Sequence, residues 1–276
     1  VGNNESFGYV KTLVENERYS KRVVKPAIFV LSLHEHPQVI PYLAGVVGGN
    51  RYVEIRKSAA FWLGQIPDEA SFNALSDIYA REQNHEMKKK LVFAIGQHKS
   101  EKAVNFLASI ARSDEVFEVR EKAVFWLGQI DSEESLDVLL QFLNQTRDTE
   151  LKEKAVFSIS QHDSKRAAAK LIEVAKNERN RDVRKKAIFW LGQMAGRKTL
   201  QALGDIVEND DETEAKTKAV FAISQHDDKD LAFDMLRDIA KNNPNPEVRK
   251  KAIFWMGQMG DERAVDFFKE ILIKNE

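Results

Sequence analysis

Apolar residues fall along this chain in a helical rhythm that returns again and again. The segment Val183-Arg-Lys-Lys-Ala-Ile-Phe-Trp-Leu-Gly-Gln193 has relatives from one end to the other, with Phe at positions 29, 61, 93, 125, 157, 189, 221 and 254. Successive intervals are 32 residues, except for a final 33. Between copies lies a second one-sided stretch, as in Phe72/Leu75/Ile78/Tyr79, Val104/Leu107/Ile110 and Leu200/Leu203/Ile206. Such spacing is that of an amphipathic helix. Each unit therefore predicts one helix of the second kind, called A here, followed by the recurring helix B. Units of a few tens of residues cannot bury an apolar face alone and stack on their neighbours. The expected fold is all-α: a right-handed α-solenoid (α-α superhelix) of about eight two-helix repeats plus a C-terminal helix, one body over residues 1–276 with roughly seventeen helices and no strand.

Punctuation supports this reading. Asp68, Ser100, Asp131, Ser164 and Asp261 follow B helices, where a side-chain oxygen can cap the N–H groups that open helix A. Polar links such as Asn243-Pro-Asn-Pro-Glu247 stop one helix and start the next. The one extra residue lies between Gln225 and Leu236 and is expected in or beside a turn. The N-terminal copy, Val23 to Leu33, is the most divergent, with Pro26 and Leu33 where Lys and Gln are usual, as befits a terminal unit.

On a wheel of about 100° per residue, Val183, Ala187, Trp190 and Met194 share one wedge of about 60°, the expected core face. Trp62, Trp126, Trp190 and Trp255 alternate with Ala94, Ser158 and Ala222, so large faces small and the true period is two units. Core packing is favoured over an aromatic cage for these Trp residues. The Phe row lies about 130° from that wedge. Two roles stand open for Phe93, Phe125, Phe157 and Phe189: wedges between successive B helices, or a partly exposed stripe on the concave surface where B helices usually lie. Gln97, Gln129, Gln161 and Gln193 follow four residues later on the same face, with Lys122, Lys154 and Lys186 beside them and Lys90 in the same row. The Gln side chains either bond to one another along the stack or receive an extended ligand.

At each B-helix start an acid precedes a base by two residues, from Glu54/Arg56 to Glu247/Arg249. The acid opposes the positive end of the helix dipole, and each base is expected to meet the acid of a neighbouring unit in a ladder of ion pairs. His34, His98, His162 and His226 recur in alternate units. Two units of helices about 10 Å apart are too far apart to share a metal, so a neutral imidazole bonded to a turn backbone is expected. His34 and His36 alone make a poor metal site.

Composition narrows the rest. Lys+Arg 42 against Asp+Glu 43 gives a net charge of −1, which offers no global field for polyanions or acidic membranes. The absence of Cys excludes disulfides and thiolate chemistry. No apolar run approaches the roughly 20 residues that span a bilayer, so no membrane insertion is expected. Because it starts at Val1 without an initiator Met, the chain is expected to be a processed or excised piece. Phosphate loops, dinucleotide fingerprints, zinc-protease helices and nucleophile elbows are missing from the sequence. No catalytic, cofactor-binding or metal-binding residue is assigned.

The Val-Arg-x-x-Ala core and trailing Leu-Gly of Val183 to Gln193, each copy beside a second amphipathic helix, resemble HEAT-like repeats, in particular the short bacterial type related to phycocyanobilin-lyase repeats. The resemblance covers the whole chain and is specific for the repeat class, not for an activity; lyase chemistry is not carried over. Proteins with paired Phe-Trp-Leu-Gly-Gln and Phe-Ala-x-Ser-Gln units look like exported proteins or parts of envelope proteins, which suggests a periplasmic or extracytoplasmic setting. The expectation is a monomeric, non-enzymatic scaffold that holds a protein or peptide on its concave B-helix surface, at Phe93, Gln97, Lys122, Phe125, Gln129, Lys154, Phe157, Gln161, Lys186, Phe189 and Gln193. The alternatives are a nucleic-acid-binding protein similar to HEAT-like DNA-repair glycosylases, with nucleic acid the less expected partner, or a structural spacer of a larger envelope protein.

Overall fold

A computed structural model describes residues 2–49 and 51–273. Among these residues there are seventeen helices and no strand. In chain order they are α1 (Asn3–Glu15), α2 (Lys21–Ser32), α3 (Val39–Gly48), α4 (Val53–Gly64), α5 (Glu69–Arg81), α6 (His85–Gly96), α7 (Glu101–Ser113), α8 (Phe117–Gln129) and α9 (Glu133–Gln145). Then follow α10 (Thr149–Ser160), α11 (Lys165–Asn177), α12 (Arg181–Leu191), α13 (Arg197–Asn209), α14 (Thr213–Gln225), α15 (Lys229–Asn242), α16 (Pro246–Gln258) and α17 (Arg263–Ile273). Odd numbers are A helices and even numbers are B helices. The fold is an all-α solenoid of repeats.

The chain forms two compact units, Val1–Phe142 and Leu143–Glu276. In the first, α1 packs on α2, α3 on α4 and α7 on α8, while the B helices run side by side, α2 on α4, α4 on α6 and α6 on α8. In the second, α11 packs on α12, α13 on α14 and α15 on α16, with B-helix contacts α10 to α12, α12 to α14 and α14 to α16.

Local chemistry explains where helices start. Asn180 opens α12 by accepting from the N–H groups of Asp182 (3.0 Å) and Val183 (3.2 Å), and Asp68, Ser100 and Ser164 cap α5, α7 and α11 as expected. Such a cap is worth about 1 kcal/mol. At α9 the capping bond comes one residue later than expected: the Oγ of Ser132, not Asp131, accepts from the N–H of Ser135 at 3.1 Å. The extra residue is also placed differently. Asp228 caps α15 at the regular 32-residue interval from Gly196, but the C-cap moves 33 residues, from Asp210 to Asn243. The insertion therefore lengthens α15 to 14 residues rather than a turn.

The buried arc of each B helix is wider than the wedge read from the wheel. In α12 it comprises Val183, Ala187, Ile188 and Leu191, all with no exposure, and α4, α6, α8 and α10 repeat the same four positions. Trp190 and Met194 are only half-buried. The reason is geometric: a B helix in mid-stack is covered by its own A helix and by B helices on both sides, which closes an arc too broad for a 60° wedge. Trp sits at its edge, on the seam between successive B helices.

That seam explains the alternation of large and small. A Cβ added to Gly64 would lie 2.8 Å from the Cα, Cβ and carbonyl oxygen of Ala94, and one on Gly192 would lie 2.6 Å from the carbonyl oxygen of Ala222. At Gly96, by contrast, the space is taken by the ring of Trp126 at 2.8 Å. Glycine and alanine admit backbone contact at one junction, and glycine makes room for an indole at the next.

Candidate functional site on the B-helix face

Recurring Phe rings lie across the B-helix seam within each unit. In the first unit, Phe29 meets Trp62 with ring centroids 4.4 Å apart, Phe61 stacks on Phe93 at 5.7 Å, and Phe93 meets Trp126 edge-on at 5.0 Å. The second unit repeats the sequence: Phe157 on Trp190 at 4.9 Å, Phe189 stacked on Phe221 at 6.2 Å, and Phe221 on Trp255 at 4.7 Å. Phe189 and Phe254 remain 37 % and 52 % exposed, so these rings serve as packing and as surface at once.

Lysines fasten onto the aromatic row. The ammonium of Lys90 lies 4.0 Å above the Phe93 ring and 4.5 Å above Phe61, and that of Lys122 lies 5.8 Å from Phe125. Burial, aided by neighbouring Lys57, holds Lys90 below the usual lysine range. Phe93, Lys122 and Phe125 thus come together around a shallow hollow of about 360 Å³. Lys57, Glu86, Lys89, Lys90 and Trp126 complete its wall. In the second unit Lys154 and Lys186 are exposed, with Lys186 3.8 Å from Glu153.

The glutamines occupy the ends of the B helices. Gln97 and Gln129 are half-buried, Gln161 and Gln193 exposed. Gln161 donates to its neighbour Ser160 at 3.2 Å, as Gln225 does to Ser224 at 3.1 Å. Among the described residues no ladder Gln bonds to another. Gln161 and Gln193 open onto a second hollow, between the turns that precede α11 and α13.

The ion pairs differ from expectation in register. The bases that reach the next B helix are those three residues after the acid: Lys57 to Glu86 (3.6 Å) and Lys185 to Glu214 (2.6 Å), joined by Lys25 to Glu54 (3.5 Å). Those two residues after the acid turn inward, to the C-cap of an A helix. Arg56 pairs with Glu82, Lys88 with Asp114 (2.8 Å), Lys152 with Glu178 (2.9 Å) and Arg184 with Asp210 (3.6 Å), each 26 residues on. A residue pointing along the B–A interface cannot also lie on the B-helix seam, which is why the two positions part.

These C-cap acids are the recurrent residues that sequence reasoning missed. Asn84, Val116, Asn180 and Glu212 donate their N–H groups to Glu82, Asp114, Glu178 and Asp210 at 2.8, 2.8, 2.9 and 2.8 Å. Asp114 also accepts from the Tyr79 hydroxyl at 2.5 Å. Burial opposes its ionisation, but the bonds from Lys88, Tyr79 and Val116 outweigh that and hold Asp114 below the ordinary aspartate value. Burial and then Asp114 push Tyr79 far up. The signal was present, since Glu82, Asp114, Glu178, Asp210 and Asn243 keep the repeat period.

The expected turn contacts are made by His34 and His226, whereas the buried Nε2 of His98 finds no hydrogen-bond partner among the described residues. The ring of fully buried His226 lies 3.2 Å from both Thr199 Oγ1 and the Gly196 carbonyl through Nε2, while Nδ1 accepts from the N–H of Asp228 at 3.1 Å. His34 contacts the Val30 carbonyl at 2.8 Å and Ser6 at 2.9 Å. Burial lowers His98, against the opposing field of Asp68. Thr199 belongs to another alternating set of buried hydroxyls with Ser71 and Ser135, which donate to the Leu63 and Leu127 carbonyls at the end of the preceding B helix, Ser135 at 2.5 Å, whereas Thr199 donates to the turn carbonyls of Met194 (3.2 Å) and Gly196 (2.6 Å). Among the described residues no three His, Asp or Glu side chains converge as a metal-ligand set, and no helix is long and apolar enough to cross a membrane.

Comparison with known proteins agrees with this architecture. Kap95p, in a structure of its binding to RanGDP, is similar with a TM-score of 0.57 and 12% identity over 93% of this chain and 41% of that one. The full-length AP-3 complex gives 0.53 and 12% over 99% of this chain and 54% of the other. Human deoxyhypusine hydroxylase with glycerol gives 0.41 and 18% over 97% of both chains. At 12% identity the likeness to Kap95p and to AP-3 shows the fold alone. No significantly similar sequence is found among curated proteins. Family profiles match HEAT repeats at residues 78–160, 136–224 and 200–276, and a PBS lyase HEAT-like repeat at residues 55–79. Over most of its length, therefore, the chain belongs to the HEAT repeat family.

Proposed function

We propose that the chain is a non-enzymatic scaffold that binds an extended segment of a protein partner along its B-helix face. The observation that carries this reading is the aromatic row with cations seated on it: Lys90 over Phe61 and Phe93, and Lys122 over Phe125. Cation–π contacts are worth about 0.5–1 kcal/mol at exposed sites such as Lys122 and more at a half-buried one such as Lys90, so the Lys90 ammonium above all is held in place and needs little ordering on binding. Exposed ring edges take apolar side chains, the lysines take carboxylates, and the glutamine amides can pair with a main chain. The structural neighbours with TM-scores above 0.5 are themselves described in complexes, Kap95p with RanGDP and AP-3 as an assembly. A phosphate-binding role for the B-helix starts loses support, because Lys57, Lys88, Lys152 and Lys185 are occupied by carboxylates.

The test is an affinity pull-down from an extract of the native source, comparing wild type with the triple variant Gln129→Ala, Gln161→Ala, Gln193→Ala. The variant should unfold at the wild-type midpoint and lose a protein that the wild type enriches. Equal recovery by both removes the glutamine row from the interface.

A further inference from the structure

We propose a second binding site in the Leu143–Glu276 unit, apart from the aromatic row of the B-helix face: a cleft between the turns before α11 and α13 that holds an acidic peptide segment carrying one apolar anchor. The cleft encloses about 690 Å³, within the range of ligand pockets, about 300–1,000 Å³. Its floor is apolar, made by Ala168, Ala169, Ile172 and Met194. Its rim carries Lys165, Arg197 and Lys198 against the single acid Asp163.

The charge of this rim departs from the prevailing pattern of the repeat. Four other A helices, α5, α7, α9 and α15, set an acid among their first two residues: Glu69, Glu101, Glu133 with Glu134, and Asp230; α3 has none in its first turn, and α17 opens on Arg263 with Asp266 behind it. An acid there offsets the positive end of the helix dipole. At α11 and α13 the same positions read Lys165-Arg166 and Arg197-Lys198, and neither first turn contains an acid. Bases placed there oppose the dipole and cost stability to the isolated chain. At α13 the cap is gone as well, because Gly196 replaces it with φ at +117°, a conformation that favours glycine. Lys165, Arg197 and Lys198 are exposed and, among the described residues, make no ion pair or hydrogen bond with protein side chains. Two dipole ends, three unpaired cations and an apolar floor therefore converge on one hollow. A carboxylate-bearing ligand with an apolar side chain complements all three.

A fluorescein-labelled heptapeptide of Glu and Asp around one central Leu, titrated by anisotropy, tests this. Its Gln/Asn analogue, inorganic phosphate and a single-stranded oligonucleotide of equal charge are the comparators. Wild type should bind the acidic peptide and discriminate against all three. Lys165→Glu, Arg197→Glu, Lys198→Glu together should weaken binding by roughly tenfold or more while unfolding at or above the wild-type midpoint, since the change sets acids at the helix starts as in α5, α7 and α9. Ala169→Trp should block the floor, and Lys102→Glu, outside the cleft, should leave binding intact. Equal binding of the Gln/Asn analogue or the oligonucleotide overturns the proposal, as does displacement by phosphate with Ala169→Trp unaffected. Gln161 and Gln193 border this cleft, so the triple Gln→Ala variant is titrated with the peptide as well: loss of the pull-down partner with peptide binding kept tests the B-helix face, and loss of the peptide with Lys165→Glu, Arg197→Glu, Lys198→Glu tests this cleft.

Discussion

Replacing Gly64 by Ala tests whether the B-helix seam is a backbone contact. In a helix the change alone stabilises by about 0.5–1 kcal/mol, because alanine loses less backbone freedom on folding. The new methyl, however, would stand 2.8 Å from three atoms of Ala94, one of them its carbonyl oxygen. Ordinary van der Waals contact begins at 3.4 Å, so α4 and α6 must separate by several tenths of an ångström along a face that buries Ala60, Leu63, Leu91 and Ile95. Overpacking of this kind costs about 1–3 kcal/mol, which at mid-range leaves a net loss of about 1 kcal/mol after the propensity gain. Gly45→Ala in the same unit is the internal control, because its Cβ would meet nothing within 4 Å. Urea unfolding followed by far-UV circular dichroism should show opposite shifts, Gly64→Ala to lower and Gly45→Ala to higher urea. A Gly64→Ala midpoint equal to or above the wild type would refute the seam as a close backbone contact.

Other outcomes follow from the buried polar groups. Asp114→Ala should destabilise by about 2–4 kcal/mol in equilibrium urea unfolding, because Lys88 and Tyr79 lose their shared acceptor in a nearly closed site. Lys185→Ala, which breaks the exposed contact to Glu214, should leave the midpoint unchanged within error. The pH dependence has a definite sign: Asp114 and Glu178 are both held below their ordinary values of 3.8 and 4.5. Their contribution is complete above those values and is lost as pH falls through the lower folded ones, so Asp114→Asn should flatten the acid limb of the stability profile. Ser135→Ala should cost about 1 kcal/mol by removing the hydroxyl that satisfies the Leu127 carbonyl, read as a lower urea midpoint.

Helix number, order and type were legible because a 32-residue period averages away local ambiguity. The two residues beside Phe189 show where legibility ended. On the wheel Trp190 shares a wedge of about 60° with Val183, Ala187 and Met194, whereas Ile188 and Leu191 close the buried arc, and only the presence of a B helix on either side makes that arc so wide. The inward pairing of Lys88 with Asp114 across 26 residues escaped for a related reason. Periodicity shows which positions recur, but which of two bases faces the A helix depends on about 100° of rotation. Among the candidate residues, Phe93, Lys122 and Phe125 share one hollow, while Gln161 and Gln193 open onto the turn cleft. A single Phe, Gln and Lys stripe read from register alone merges what the helix ends separate.

The seam connects this exposed chemistry to the core. Gly64 and Ala94 set how closely α4 approaches α6, and Phe61 and Phe93 ride on the same two helices, three residues before Gly64 and one before Ala94. Their 5.7 Å stacking distance, and the seat of Lys90 above both rings, are therefore fixed by backbone contact beneath them rather than by the rings themselves. A methyl at Gly64 should then do two things at once, lowering stability and opening the aromatic pair. The two-repeat alternation has the same logic. Where Trp126 fills the space over Gly96, the Phe above it meets an indole edge instead of a parallel ring. The surface consequently alternates between stacked Phe pairs and Phe–Trp corners, and a ligand reading that face meets a chemical period of about two repeats rather than one.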